Sequence, residues 1–231
     1  MKTQHVLILQ HSKKVSAGSS IDWLTQNNIP FKIHSYERTP EIQPSLDEFS
    51  SVLICGGGMN VDEDHLFPWL KEEKKLIEHA LKKQMKMVGL CLGAQLIAEV
   101  LGARVQKNHD LECGWHDVDI KTSAHFMLSF SAKKLRAFQW HGYTFETPLT
   151  AKKFASNEAT PNQGFIYQDN VVCMQFHPEA TKPWIEQCLN EPLYPTGPYC
   201  QTKSECQSEL ELQSTLQNWY HLLLTQLWKN K

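Results

Sequence analysis

Lys86-Met87-Val88-Gly89-Leu90-Cys91-Leu92-Gly93-Ala94-Gln95 is the stretch on which the fold turns. An apolar run of strand length feeds a Gly-X-Cys-X-Gly turn. Apolar residues at helical spacing follow until Gly102 closes the pattern. A sharp strand-to-helix turn of this kind pushes one side chain out above a sheet. Here that side chain is a thiol. The helix N-terminus favours its thiolate form, and the N–H of Leu92 points to where an oxyanion would form. Gly89 and Gly93 permit the tight turn that a Cβ would obstruct. The competing reading is a buried cysteine between a core strand and helix, the commonest fate of a free thiol.

Working outward, residues 6–9, 31–34 and 51–55 read as strands, and 86–90 as a fourth. A helix around Ile21-Asp22-Trp23-Leu24 is expected to end before Pro30. A second helix spans 68–83, and a third follows Cys91. Strands alternating with helices predict an α/β fold, a doubly wound and mostly parallel sheet with helices on both faces. After Gly102 the pattern changes. Residues 118–120, 136–140, 164–167 and 171–176 look like strands with short links, which predicts a small antiparallel extension. Residues 184–189 suit a helix, 191–203 an irregular segment, and 205–228 one closing helix. One domain over 1–231 is expected.

Among the 231 residues, 41% are hydrophobic and 21% charged, and the net charge is −2. That balance suits a globular protein with a sizeable core and implies neither nucleic acid nor an anionic membrane as partner. The apolar runs are strand-sized, too short to span a membrane, and the first of them is too short for a signal peptide. Seven cysteines, scattered and odd in number, fit a reducing compartment, most simply the cytoplasm. Cys200 and Cys206 lack metal-ligand spacing, and His5, His11, His34, His65 and His79 are scattered, so no metal and no cofactor is expected. The run Lys71-Glu72-Glu73-Lys74-Lys75 reads as a solvated helix face.

Two further segments carry chemistry. Gly56-Gly57-Gly58 ends a predicted strand, so in a parallel sheet it lies on the same edge as Cys91. No Gly-Lys-Ser/Thr follows, which argues against a phosphate cradle. His177-Pro178-Glu179 closes another predicted strand. Residues two apart in extended chain face the same way, so Glu179 could fix the tautomer of His177. Alone, each segment reads more simply as a turn. The chain order Cys…His…Glu, with all three at strand ends, is far more specific.

These residues resemble the class I glutamine amidotransferases. Gly-Leu-Cys-Leu-Gly-Ala-Gln and Phe-His-Pro-Glu carry the likeness, which spans roughly residues 5–185. The 111–115 and 138–142 segments look like elements of the stand-alone GMP synthase-like subgroup. The resemblance implies a flavodoxin-like fold, with Cys91 as nucleophile, His177 as general acid/base and Glu179 as its orienter. It implies oxyanion N–H groups from Gly57 and Leu92, and Gln95 as a contact to the glutamyl part of the substrate. His141 and Tyr143 are expected at the pocket edge. The implied reaction is hydrolysis of the side-chain amide of glutamine, or of a γ-glutamyl amide, through a thioester. A separate synthase chain is the candidate partner. Two departures stand out. Tyr143 occupies the place where an aspartate usually binds the α-amino end of glutamine, and Gly58 stands where proline is usual. They keep two alternatives open: a γ-glutamyl peptide or amine hydrolase that does not use free glutamine, and a catalytically silent binding protein on the same fold.

Overall fold

The structure, a computed structural model, describes residues 5–121 and 133–229. Short apolar runs place four strands inside the molecule: β1 (Val6–Gln10), β3 (Ser51–Ile54), β4 (Lys86–Leu90) and β9 (Val171–Met174). With β2 (Phe31–Ser35) they pair in parallel in the order β2-β1-β3-β4-β9. The alternation of strand side chains is visible in β1. Val6 and Ile8 enter one core cluster, whereas Leu7 and Leu9 enter the other. Both faces are therefore apolar, as a sheet covered on two sides requires.

The helices supply the covers. α1 (Ser19–Gln26) and α4 (Lys182–Leu189) bury Trp23, Leu24, Ile185 and Cys188 in one cluster. α2 (Trp69–Lys82) and α3 (Leu92–Val100) bury Trp69, Ile77, Leu96 and Ile97 in the other. α1 ends at Gln26, ahead of Pro30, with Asn28 in left-handed backbone at φ 53°.

The antiparallel extension exists and is larger than the sequence suggested. β5 (Val105–Ile120) and β6 (Lys134–Phe145) form a long antiparallel pair, of which residues 118–120 and 136–140 are only parts. β7 (Lys152–Ser156) and β8 (Gly164–Tyr167) join β5 to β9 through antiparallel pairings. The segment expected to be irregular contains β10 (Tyr199–Cys200), parallel to β5 at Glu112 and Cys113. The single closing helix is two helices, α5 (Lys203–Ser208) and α6 (Leu212–Lys229). α5 starts on a capping box in which Thr202 and Glu205 satisfy each other's backbone N–H.

The apolar stripe of α6 packs into the same cluster as α1, with Leu216, Tyr220, Leu223, Leu224 and Leu227 buried. Three polar contacts fasten the two helices. Ser20 Oγ lies 3.0 Å from the Tyr220 hydroxyl, Trp23 Nε1–H donates to Thr225 Oγ1 at 3.2 Å, and His221 Nε2–H donates to the Ser19 carbonyl at 3.0 Å. Among the described residues no helix is long and apolar enough to cross a membrane.

Helix and sheet pack closely at Gly93, where a Cβ would stand 2.3 Å from the Ile54 carbonyl oxygen. Neither backbone can yield without breaking the sheet. Gly93→Ala is expected to lower the unfolding free energy by about 3 kcal/mol, measured by urea denaturation. Gly102→Ala, with open space around its Cβ but φ of 83°, should cost only about 1 kcal/mol.

Candidate active site

Because β1, β3, β4 and β9 run parallel, the residues that follow their C-termini gather at one edge of the sheet. These are His11, Gly56 to Gly58, Cys91, and Gln175 to Glu179. Cys91 is the N-cap of α3, with φ 49° and ψ −107°. Few non-glycine residues adopt such backbone. It is held there from both sides. Its N–H donates to the Met174 carbonyl at 2.8 Å, and its carbonyl accepts the Gln95 N–H at 3.0 Å. The Leu92 N–H belongs to the first turn of α3, where a helix has no internal acceptor to offer. The glycine loop lies directly over this turn. A Cβ on Gly57 would stand 2.8 Å from Leu92 Cδ2, and one on Gly56 would stand 3.0 Å from His177 Cε1 and 3.5 Å from Cys91 Cβ.

His177 and Glu179 project together, as the i, i+2 spacing implied. His177 Nδ1–H donates to Glu179 Oε1 at 2.7 Å, and both side chains are buried. Burial opposes charge on the imidazole. The Glu179 carboxylate, the charge and hydrogen bond of the Cys91 sulfur, and the Glu179 hydrogen bond outweigh it and raise the His177 pKa to about 10. The main chain of this pair is pinned as well. The His177 N–H donates to the Phe138 carbonyl at 2.9 Å, and the Glu179 carbonyl accepts the Ser19 N–H at 2.9 Å. Gly18, at φ 50°, allows that approach, since a Cβ there would lie 2.1 Å from the Glu179 oxygen.

Behind the glycine loop lies a pair that the sequence reading missed. Glu73 sits in the charged run of α2, yet it is fully buried. The reading of 71–75 as a solvated face is therefore corrected at this residue. Both Glu73 oxygens lie 3.0 Å from His11 Nε2, and His11 Nδ1–H donates to the Gly56 carbonyl at 3.0 Å. Trp69 and Tyr36 stack on the His11 ring at 5.4 and 5.9 Å. Burial lowers the His11 pKa, but the Glu73 charge and hydrogen bond, with the Gly56 and Cys55 carbonyls, turn the net shift upward. A second missed residue is Gln175, two before His177. Its Nε2–H donates to Cys91 Sγ at 3.5 Å, and its Oε1 accepts from Gln95 Nε2 at 3.1 Å.

A cavity of about 220 Å³ opens beside Cys91, lined by Gln95, Glu112, His141 and Tyr143 among others. Gln95 also donates to the Tyr143 carbonyl at 3.3 Å, and His141 Nδ1–H donates to the same oxygen at 3.0 Å. The other ring nitrogen of His141 stands 3.2 Å from Glu112 Oε2. Glu112 is fully buried, and its oxygens also receive Thr160 Oγ1 at 2.9 Å, Gln163 Nε2 at 2.7 Å, and Asn157. Burial pushes the Glu112 pKa up. His141, Asn157 and His116 more than offset that and hold it below the usual carboxylate value. The acid in this wall is thus Glu112, on the strand that pairs with His141.

With this geometry in place, likeness to known proteins identifies the class. The glutamine amidotransferase class-I family model matches residues 17–185, and the chain belongs to that family. It is 25% identical over 181 residues, 76% of each chain, to the glutamine amidotransferase-like protein YfeJ of Salmonella typhimurium. It is 30% identical over 149 residues to a subunit of the glutamine-hydrolysing GMP synthase of Sulfolobus acidocaldarius, covering 63% of this chain and 76% of that one. The crystal structure of a glutamine amidotransferase from Thermotoga maritima superimposes with a TM-score of 0.82 at 29% identity, over 98% of this chain and 99% of that one.

The His11–Glu73 pair makes a testable contribution to stability. Its folded pKa lies above the ordinary 6.5, so the stabilisation it gives is complete below about pH 6.5 and is lost as pH rises through the folded value. Glu73→Gln is expected to lower the unfolding free energy by about 3 kcal/mol at pH 6. It should also flatten the decline in stability above about pH 6.5, with both effects read by urea denaturation at several pH values. A slope identical to wild type would show that the pair is not ionised in the folded protein.

Proposed function

We propose that this chain is a cysteine-dependent hydrolase of the class I amidotransferase type, acting on the side-chain amide of glutamine or on a γ-glutamyl amide. The observation that carries this reading is the buried His177–Glu179 hydrogen bond of 2.7 Å beside a cysteine held at φ 49°. Glu179 occupies Nδ1 of His177 and leaves the other ring nitrogen for the Cys91 sulfur. The upward shift of His177 makes it a strong enough base to take the Cys91 proton and carry it to a departing nitrogen.

The steps follow from those roles. Cys91 gives its proton to His177, and the sulfur attacks the amide carbon. The carbonyl electron pair moves to oxygen, facing the N–H groups of Gly57 and Leu92. The C–N bond then breaks as His177 returns the proton to the departing nitrogen, and a γ-glutamyl thioester remains. Water loses a proton to His177 and attacks the thioester. The C–S bond breaks and glutamate leaves. Gln95 and His141 hold the glutamyl part in the cavity beside Cys91, with Tyr143 at its edge. The likeness to one chain of a GMP synthase supports the idea that a separate synthase chain consumes the ammonia. Seven free cysteines are in keeping with a reducing, cytoplasmic setting.

Glutamate release from glutamine and from γ-glutamyl amides tests the reading. Cys91→Ala is expected to lose about 10³-fold or more of the wild-type rate. If wild type and Cys91→Ala are equally inert across the panel, the reading fails. The rate should also fall along an alkaline limb near pH 10, where His177 loses its proton.

A further inference from the structure

A second cavity, of about 190 Å³, also reaches Cys91. It shares Gly57, Gly58, Cys91 and Trp140 with the first, but differs in what it adds. His177 lines the second cavity, together with Val15, Trp184 and Gln187. Gln95, Glu112, His141 and Tyr143 line the first. The two spaces therefore diverge from the sulfur, the first taking in Gln95, Glu112 and His141, the second taking in Val15, Trp140 and Trp184 around the imidazole, with Ser12, Lys14, Gln187 and Glu191 also in its wall.

The chemistry assigns them different parts of one substrate. This step rests on the proposed reading of Cys91 and His177. The nitrogen that departs must receive its proton from His177, so the leaving amine lies on the His177 side of the sulfur. The acyl part then occupies the cavity on the other side. Ammonia is about the size of a water molecule, whose share of liquid volume is about 30 Å³, so free glutamine would leave the second cavity almost empty. Its walls are also wrong for a small polar leaving group. The indole of Trp184 lies 4.7 Å from the His177 ring, and Trp140 stacks on Phe138 at 6.3 Å. Lys14 and Glu191, paired at 3.1 Å and partly exposed, mark the solvent side.

We propose that this second cavity is a leaving-group site, and that the preferred substrate is a γ-glutamyl amide whose amine carries a bulky apolar group, such as an aromatic amino acid. The atoms balance as for glutamine. The Cys91 C–S bond forms, the C–N bond to the amine breaks with the His177 proton going to nitrogen, and the free amine departs in place of ammonia. Water then releases glutamate.

The test compares kcat/KM for glutamate release from γ-glutamyl-phenylalanine, γ-glutamyl-glycine and glutamine, in wild type and in Gln187→Trp. Gln187 is exposed at the cavity wall, so an indole there fills the space without disturbing the core. The expected result is a wild-type preference for γ-glutamyl-phenylalanine over glutamine of at least tenfold, and a tenfold or greater fall in that ratio in Gln187→Trp. A preference for glutamine overturns the proposal while leaving the amide-hydrolase reading intact, because the cavity then serves only as a way out for ammonia. An unchanged ratio in Gln187→Trp overturns it equally. If none of the three compounds yields glutamate, and Cys91 reacts with iodoacetamide no faster than the other cysteines, both the proposal and the reading beneath it fail.

Discussion

Cys91 keeps a positive φ because the backbone around it has nowhere else to go. Its N–H is claimed by the Met174 carbonyl on β9, and Gly93 seats α3 against the Ile54 carbonyl on β3. Two neighbouring strands therefore fix the direction of the thiol through main-chain atoms alone. The cost of that strained backbone is of order 1–3 kcal/mol and is borne by the packing of β3, β4 and β9. Everything else at the site is arranged with respect to this turn. The glycine loop lies over it, the imidazole reaches it from β9, and the two cavities part at its sulfur.

A second tier of interactions holds the parts that face the thiol. His11, backed by Glu73, takes the Gly56 carbonyl, and so sets the orientation of the peptide that leads into Gly57. Gln175 bridges Cys91 and Gln95. Glu112 ties β5 to the segment after β7 through Asn157, Thr160 and Gln163, and stands beside His141. Each of these groups fixes a neighbour in place, and under the proposed function a nucleophile and base placed loosely by about 1 Å would lose much of their rate.

Much of this was legible in the sequence. The apolar runs before Gly56 and Cys91 announced parallel strands ending together, and the glycines marked the tight turns. The run before His177 was expected in the antiparallel extension, whereas β9 pairs in parallel with β4 and antiparallel only with β8, because it is the strand at which the sheet changes direction. Glu73 was hidden because it sits among four charged neighbours. The stripe Trp69, Leu70, Glu73, Ile77, Ala80 is helical in period and entirely buried, so a strict reading of the period would have placed the carboxylate inside. Gln175 falls in register with Cys173 and His177, which the alternation of β9 could have revealed. The split of the closing helix and the short strand β10 were harder. Tyr199 and Cys200 carry no periodic signal, and only the pairing partner Glu112–Cys113 makes them a strand. Glu112 itself gave no sign of burial, because its partners at Asn157, Thr160 and Gln163 are some 45 to 51 residues away along the chain.

The contacts between α6 and α1 give the C-terminal helix a mechanical part in the site. Tyr220, His221 and Thr225 hold Ser20, Ser19 and Trp23, and the Ser19 N–H in turn holds the carbonyl of Glu179. Gln213 adds a direct bond to the Ala180 carbonyl at 3.0 Å. The family model ends at residue 185, whereas the scaffold that steadies the Glu179 main chain continues beyond residue 213. A change in α6 can therefore be felt at Glu179, through Ser19 and Ala180, without any alteration of Cys91 or His177.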